Sequence, residues 1–200
     1  MTNLVQLDFN MQSDSELISL VVSQNDQAAF SGLVTRYQSA IRHFLRRLTA
    51  GDRDLADDIA QETFILAFEK LYSFKGKGSF SAWLHKLAYH KFCRTIQTGA
   101  QHYETATDHQ DAVWQSLQTH DAVDADILAE SLMRTLDLNE RLVITLNCSE
   151  GYSHSEIVDI TGLPLGTVKS LINRSKQKLN EIVSRSHNES VDNNLKVVRK

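Results

Sequence analysis

Asp54, Asp58 and Glu62 stand four residues apart with Asp57 and Gln61 alongside, so a helix through this stretch gathers carboxylates on one face. Paired carboxylates perform acid–base catalysis where burial separates their proton affinities. Nothing around these marks burial, and a solvated helix face is the ordinary meaning of such a run. Further on, Ser73-Phe74-Lys75-Gly76-Lys77-Gly78-Ser79 interleaves glycines with lysines as a phosphate cradle would. It lacks the Gly-x-x-x-x-Gly-Lys-Ser/Thr pattern and the preceding apolar strand of a P-loop. A third cluster runs from Lys169 to Arg185, where Arg174, Lys176 and Lys178 add to those two cations against only Glu181. A helix there can neutralise phosphates while Thr167, Lys169, Ser170 and Asn173 meet base edges.

Other chemistries find no support. Cys93 and Cys148 are too far apart for a Cys-x-x-Cys site or a disulfide framework, and read as two buried or half-buried thiols. His102, His109 and His120 have no metal-ligand spacing. With no nucleophile–base pair, metal cluster or nucleotide cradle, the expectation is a protein that is not an enzyme and takes no cofactor or small-molecule substrate.

These clusters need elements to position them. The 200 residues are 42% hydrophobic and 23% charged, near globular averages, and a single Pro with eight Gly favours helices over a turn-rich sandwich. Phe30, Leu33, Val34, Tyr37, Ile41, Phe44, Leu45 and Leu48 form one apolar stripe, with Arg36, Arg42, Arg46 and Arg47 as a basic opposite face and Gly51-Asp52 as the stop. Ala56, Ile59, Ala60, Thr63, Phe64, Ala67, Phe68 and Leu71 form a second, over about Asp54 to Tyr72. Leu17, Ile18 and Val21 predict a helix from near Asp14. Phe80, Trp83, Leu84, Leu87 and Phe92 predict another after a Ser79 cap, with Trp83 in the core. Four such helices can share a core.

Residues 98–125 show no sustained period and read as a flexible linker. The net charge of −4 is concentrated there: the segment has five acidic residues and no Lys or Arg. A second helical block starts near Asp126. In it, Ser153 and Glu156 make a capping box, Thr161-Gly162-Leu163 a turn, and Pro164 fits the first turn of the next helix, a helix-turn-helix pattern. Residues 1–13 and 186–200 read as tails. The fold expected is all-α, two small helical domains at 14–97 and 126–185 joined by the linker. No apolar run reaches the ~18 to 20 residues of a membrane span and no signal peptide is evident, which predicts a cytoplasmic protein.

The run DLADDIAQETFILAFEKLYSFKGKGSFSAWLHKLAYHKF resembles region 2 of bacterial extracytoplasmic-function sigma factors, and LNERLVITLNCSEGYSHSEIVDITGLPLGTVKSLINRSKQKL resembles their region 4. The likeness spans roughly residues 14–97 and 126–183. It implies that Leu55, Asp58, Gln61, Glu62, Phe64 and Phe68 dock on the β′ clamp helices of core RNA polymerase, with the β flap as a further contact. It implies that Phe74, Lys75, Gly76, Lys77, Gly78, Ser79, Lys86, Tyr89, His90, Lys91 and Arg94 open and hold the −10 region. Ser153, Pro164, Thr167, Lys169, Ser170, Asn173, Arg174, Lys176 and Lys178 would then serve the −35 element. It implies as well an inhibitory anti-sigma partner, often membrane-linked, and a linker that threads toward the polymerase cleft.

The chain departs from the family's pattern in places. Ala88-Tyr89-His90 stands where many relatives read Ala-Arg-Asn, and Leu171 replaces a frequent Arg, which predicts one phosphate or base contact fewer. A stand-alone helix-turn-helix regulator is the alternative, and it leaves the Asp54 to Phe68 stretch and the Gly76-Gly78 loop without a task.

Overall fold

The computed structural model describes residues 12–98 and 125–198, with side chains described over 12–98 and 129–185. The expected N-terminal tail and linker lie outside the described residues, apart from their ends. The described residues form eight α-helices and no strand, divided between two compact units, the first mainly α1 to α4 and the second mainly α5 to α8.

In the first unit, α1 (Asp14–Gln24) opens on a capping box: the Ser13 hydroxyl accepts from Glu16 N–H, and the Glu16 carboxylate accepts from Ser13 N–H at 2.7 Å. It stops at Asn25, whose φ of 54° places it in the left-handed region that ends helices. Asp26 then caps α2 (Gln27–Leu48), its carboxylate accepting from Ala28 N–H at 2.9 Å and Ala29 N–H at 3.1 Å. Arg36 was expected on an open basic face of α2. Instead it and the Tyr37 hydroxyl donate to the Asp14 carboxylate, and Arg36 also reaches the Gln12 carbonyl at 2.8 Å. Arg42 likewise faces Asp57 of α3 at 3.5 Å.

Helix α3 (Arg53–Lys70) gives way to a 3₁₀ turn (Leu71–Ser73), so the helix expected to reach about Tyr72 tightens two residues early. Helix α4 (Phe80–Thr98) follows the Ser79 cap, whose hydroxyl accepts from Ala82 N–H at 3.1 Å. Leu17, Leu33, Ile41, Phe44, Leu45, Ile59, Ala67, Leu71, Leu84 and Phe92 are all buried. Each large one contributes about 1.5–3 kcal/mol by leaving water.

The second unit comprises α5 (Ala125–Arg134), α6 (Leu138–Ile144), a π-helical turn (Thr145–Ser149), α7 (His154–Thr161) and α8 (Leu165–Val198). Met133, Leu136 and Ile144 pack with Leu179. Leu142, Leu146, Ile157, Ile160, Val168 and Ile172 are buried as well. Pro164 sits one position earlier than expected, at the N-cap, with its carbonyl accepting from Val168 N–H at 3.0 Å. Residues 186–200, expected as a tail, are helical as far as Val198 because no Gly or Pro follows Gly166 to break α8. Cys93 is half-buried as read, whereas Cys148 is exposed. Among the described residues no helix is long and apolar enough to cross a membrane.

Candidate functional site

On α3 the stripe Ala56, Ile59, Ala60, Thr63 and Ala67 turns inward and leaves Asp54, Asp58, Gln61 and Glu62 exposed. Leu55, Phe64 and Phe68 are half-buried, and the Phe68 ring meets Phe30 edge-on at 5.0 Å, so Phe68 serves the core of this unit at least in part. Ile65, which sequence reading missed, is 62% exposed. It lies one turn beyond Glu62 and two beyond Asp58 on the same face. The signal was available: an isoleucine off the apolar stripe of an otherwise regular helix. The Glu62 carboxylate is not free, since Lys91 of α4 reaches it at 2.6 Å. Two surfaces assigned separate tasks are thus joined by an ion pair.

Phe74 anchors the glycine loop. Its ring lies 5.6 Å from Phe80 and 5.5 Å from Trp83, which itself stands 5.5 Å from Phe80. Trp83 is therefore held in an aromatic cluster but only half-buried, short of the core position its place on the stripe predicts. Beyond the anchor, Lys75, Gly76, Lys77, Gly78 and Ser79 are all exposed, with φ of 68° at Gly76 and 77° at Gly78. Along α4, Lys86, His90 and Arg94 are exposed and Tyr89 and Lys91 half-buried.

Burial pushes the Tyr89 phenol up to about 12, helped by its hydrogen bond with Cys93, so it stays protonated. Partial desolvation of the ring, then the cations Lys86, Arg94 and Lys70, hold the His90 imidazole below its ordinary range. The folded chain therefore resists a proton that the unfolded chain accepts near pH ~6.5. Stability linked to His90 is present above that pH and falls as pH drops through it. An NMR titration is expected to place the His90 midpoint below that of an unfolded peptide, and Lys86→Gln should move it upward. A midpoint at or above the peptide value would refute the assignment.

His85 was not singled out from sequence. It is fully buried, with Nδ1–H donating to the Ser81 carbonyl at 2.9 Å and its ring against Phe44 at 5.0 Å. It belongs to the packing rather than to a surface.

In the helix-turn-helix, the Ser153 hydroxyl accepts from Glu156 N–H and the Glu156 carboxylate accepts from Ser153 N–H at 2.9 Å, confirming the capping box. The Ser153 hydroxyl, followed by its backbone N–H, lowers the Glu156 carboxyl from its ordinary value. Gly162, at φ 76°, makes the turn. On α8, Val168, Leu171, Ile172 and Ser175 face inward, and Pro164, Thr167, Lys169, Ser170, Asn173, Arg174, Lys176 and Lys178 are exposed. Leu171 lies three residues after Val168 on the buried stripe, so it packs.

Glu140 is the residue whose position sequence reading did not anticipate. It is fully buried, yet its carboxylate meets Lys178 Nζ at 2.7 Å and lies 3.5 Å from Arg174 Nε. Among the described residues no group of three His, Cys, Asp or Glu side chains is placed to hold a metal.

Comparison with known proteins follows the same division. The Sigma-70 region 2 model matches residues 33–100, and the Sigma-70, region 4 model matches residues 127–179. The ECF RNA polymerase sigma-E factor of Haemophilus influenzae is 32% identical over 178 residues, covering 79% of this chain and 89% of that protein. That of Escherichia coli K12 is 30% identical over 177 residues, covering 81% and 90%. Among solved structures, CnrH in complex with the cytosolic domain of CnrY superposes with a TM-score of 0.63 at 25% identity, covering 87% of this chain and 99% of that one. The sigma factor RpoE in complex with the anti-sigma factor NepR from Bartonella quintana gives 0.61 at 22% identity, covering 78% and 96%, a likeness of fold.

Proposed function

Because the chain belongs to the extracytoplasmic-function sigma factors of the sigma-70 family, we propose that its two units divide promoter-specific initiation between them. A sigma factor directs transcription initiation and is not itself an enzyme. Helix α3 docks on the clamp helices of core RNA polymerase through Leu55, Asp58, Gln61, Glu62, Phe64 and, added from the structure, Ile65. Carboxylates there supply steering and register toward a cationic partner, and the apolar groups supply affinity.

The loop from Phe74 to Ser79 and the outer face of α4, with Lys86, Tyr89, His90, Lys91 and Arg94, hold the −10 strand. Exposed glycines admit a nucleotide backbone closely, and the lysines balance its phosphates. The helix-turn-helix places α8 on the −35 duplex through Thr167, Lys169, Ser170, Asn173 and Lys176, with Ser153 and Pro164 at the entries to its two helices. The second unit also meets the β flap.

The observation that carries this reading is the pairing, in one chain, of an exposed acidic α3 face with a basic α8 whose Val168, Leu171 and Ile172 are taken up by packing. A regulator acting alone has no use for the first. The likeness to CnrH, solved with the cytosolic domain of CnrY, supports regulation by an anti-sigma partner. Such a partner would hold this cytoplasmic protein at the membrane until a signal releases it.

The test combines the purified chain with bacterial core RNA polymerase and genomic DNA fragments and maps transcript 5′ ends, with core alone as the control. Discrete starts that depend on the chain are expected. Tight DNA binding without new starts, in the absence of any co-purifying inhibitor, would favour the stand-alone regulator.

A further inference from the structure

Glu140 occupies the third position of α6, where its carboxylate accepts from the Asp137 backbone N–H at 3.1 Å and completes a capping box. That task needs only an exposed Glu or Gln. Here the residue is fully buried instead, and the same Oε2 that caps α6 accepts from Lys178 Nζ at 2.7 Å. Its Oε1 lies 3.5 Å from Arg174 Nε, one turn earlier on α8. A buried carboxylate is costly, and a leucine of similar volume would ordinarily serve the packing as well or better. A charge kept in such a place acts through what it holds, and what it holds is the helix proposed to read DNA.

Position on α8 sharpens the point. At about 100° per residue, Lys169, Ser170 and Asn173 lie across the helix from the buried stripe Val168, Leu171, Ile172 and Ser175. Lys178 lies at the border of that stripe, next to α6. Its ammonium is already neutralised, and a phosphate would have to displace a carboxylate that cannot turn to water.

We infer that Glu140 is a positioning residue: it reserves Lys178, with Arg174 beside it, as a latch that sets the seat of α8 on α6, and it confines the phosphate contacts of the helix to Lys169 and Lys176. The inference deepens the reading of α8 as the −35 helix and rests on it.

The test measures how holoenzyme affinity for a promoter duplex varies with KCl, since each phosphate neutralised contributes about 0.9 to the slope of log affinity against log salt. The promoter is one recovered by the transcript mapping above. Lys176→Ala is expected to flatten the slope by about 0.9, Lys178→Ala to leave it in place, and Glu140→Gln to steepen it by at least about 0.9 as Lys178, with Arg174 beside it, is released. A merely structural glutamate would not move this slope.

Lys178→Ala strips the buried carboxylate of a partner, so the melting temperature of the full chain should fall and recover in the Glu140→Leu/Lys178→Ala double variant. That recovery also keeps the experiment decisive if the single variant folds poorly, because the double variant must then show a slope no flatter than wild type. A Lys178→Ala slope as flat as that of Lys176→Ala would overturn the inference, as would a Glu140→Gln slope equal to wild type. Indifference to Lys176→Ala would instead count against the −35 reading, with Glu140→Gln still judging the latch.

Discussion

Ile65→Lys is expected to weaken assembly with core RNA polymerase by about 30-fold or more, the roughly 2 kcal/mol that defines an interface hot spot. Ile65 is 62% exposed, so its side chain contributes little to the packing of α3, and lysine is at least as good a helix former. Folding stability should therefore change by no more than about 0.5 kcal/mol. The loss would come from the interface alone: an apolar anchor disappears, and a positive charge enters a face whose carboxylates Asp58 and Glu62 are proposed to meet a cationic partner. Titration of the chain into labelled core polymerase, with a melting curve beside it, measures both. Wild-type affinity in the variant would remove Ile65 from the docking surface.

Phe44→Ala should have the largest effect on folding. The ring is fully buried in the first unit and meets the His85 imidazole at 5.0 Å, so truncation leaves a cavity in the core. Buried Phe→Ala changes cost about 3–5 kcal/mol, a large share of the 5–15 kcal/mol that holds a domain together. For a unit of this size the melting temperature should drop by upwards of about 12 °C. Calorimetry of the full chain checks this, and a cost below about 1 kcal/mol would mean that the site collapses around the missing ring.

The sequence made some features plain and hid others for physical reasons. Helices α2, α3 and α4 and the helix-turn-helix follow from three- and four-residue spacing, and the Ser79 and Ser153 caps from residue types that satisfy free N–H groups locally. Asp14, Glu62 and Glu140 look alike in sequence, as carboxylates in or near a helical first turn or face. Their partners Arg36, Lys91 and Lys178 lie far along the chain, and only packing brings them together. Leu171 was noted only as a departure from relatives, although its spacing from Val168 already placed it inside. Composition made residues 186–200 look like a tail, but polar residues without Gly or Pro leave a long helix unbroken. Of the candidate site, the surfaces were legible, while Ile65 and the Glu140 latch depended on knowing which side of each helix was already occupied.

The loop between Phe74 and Phe80 holds one more lesson. A methyl group added at Gly76 or Gly78 would meet nothing within 4 Å, so neither glycine is needed to make room for the chain's own atoms. What the loop requires is the sign of φ, 68° and 77°, which L-residues adopt only with strain. Glycine serves because it is achiral. A chain assembled by chemical ligation with D-alanine at either position would keep the loop's shape and lose backbone freedom in the unfolded state, whereas L-alanine at the same atom count would pull the loop away from its form. The element proposed to grip a single strand of DNA is thus written in the opposite hand from the helices on either side of it.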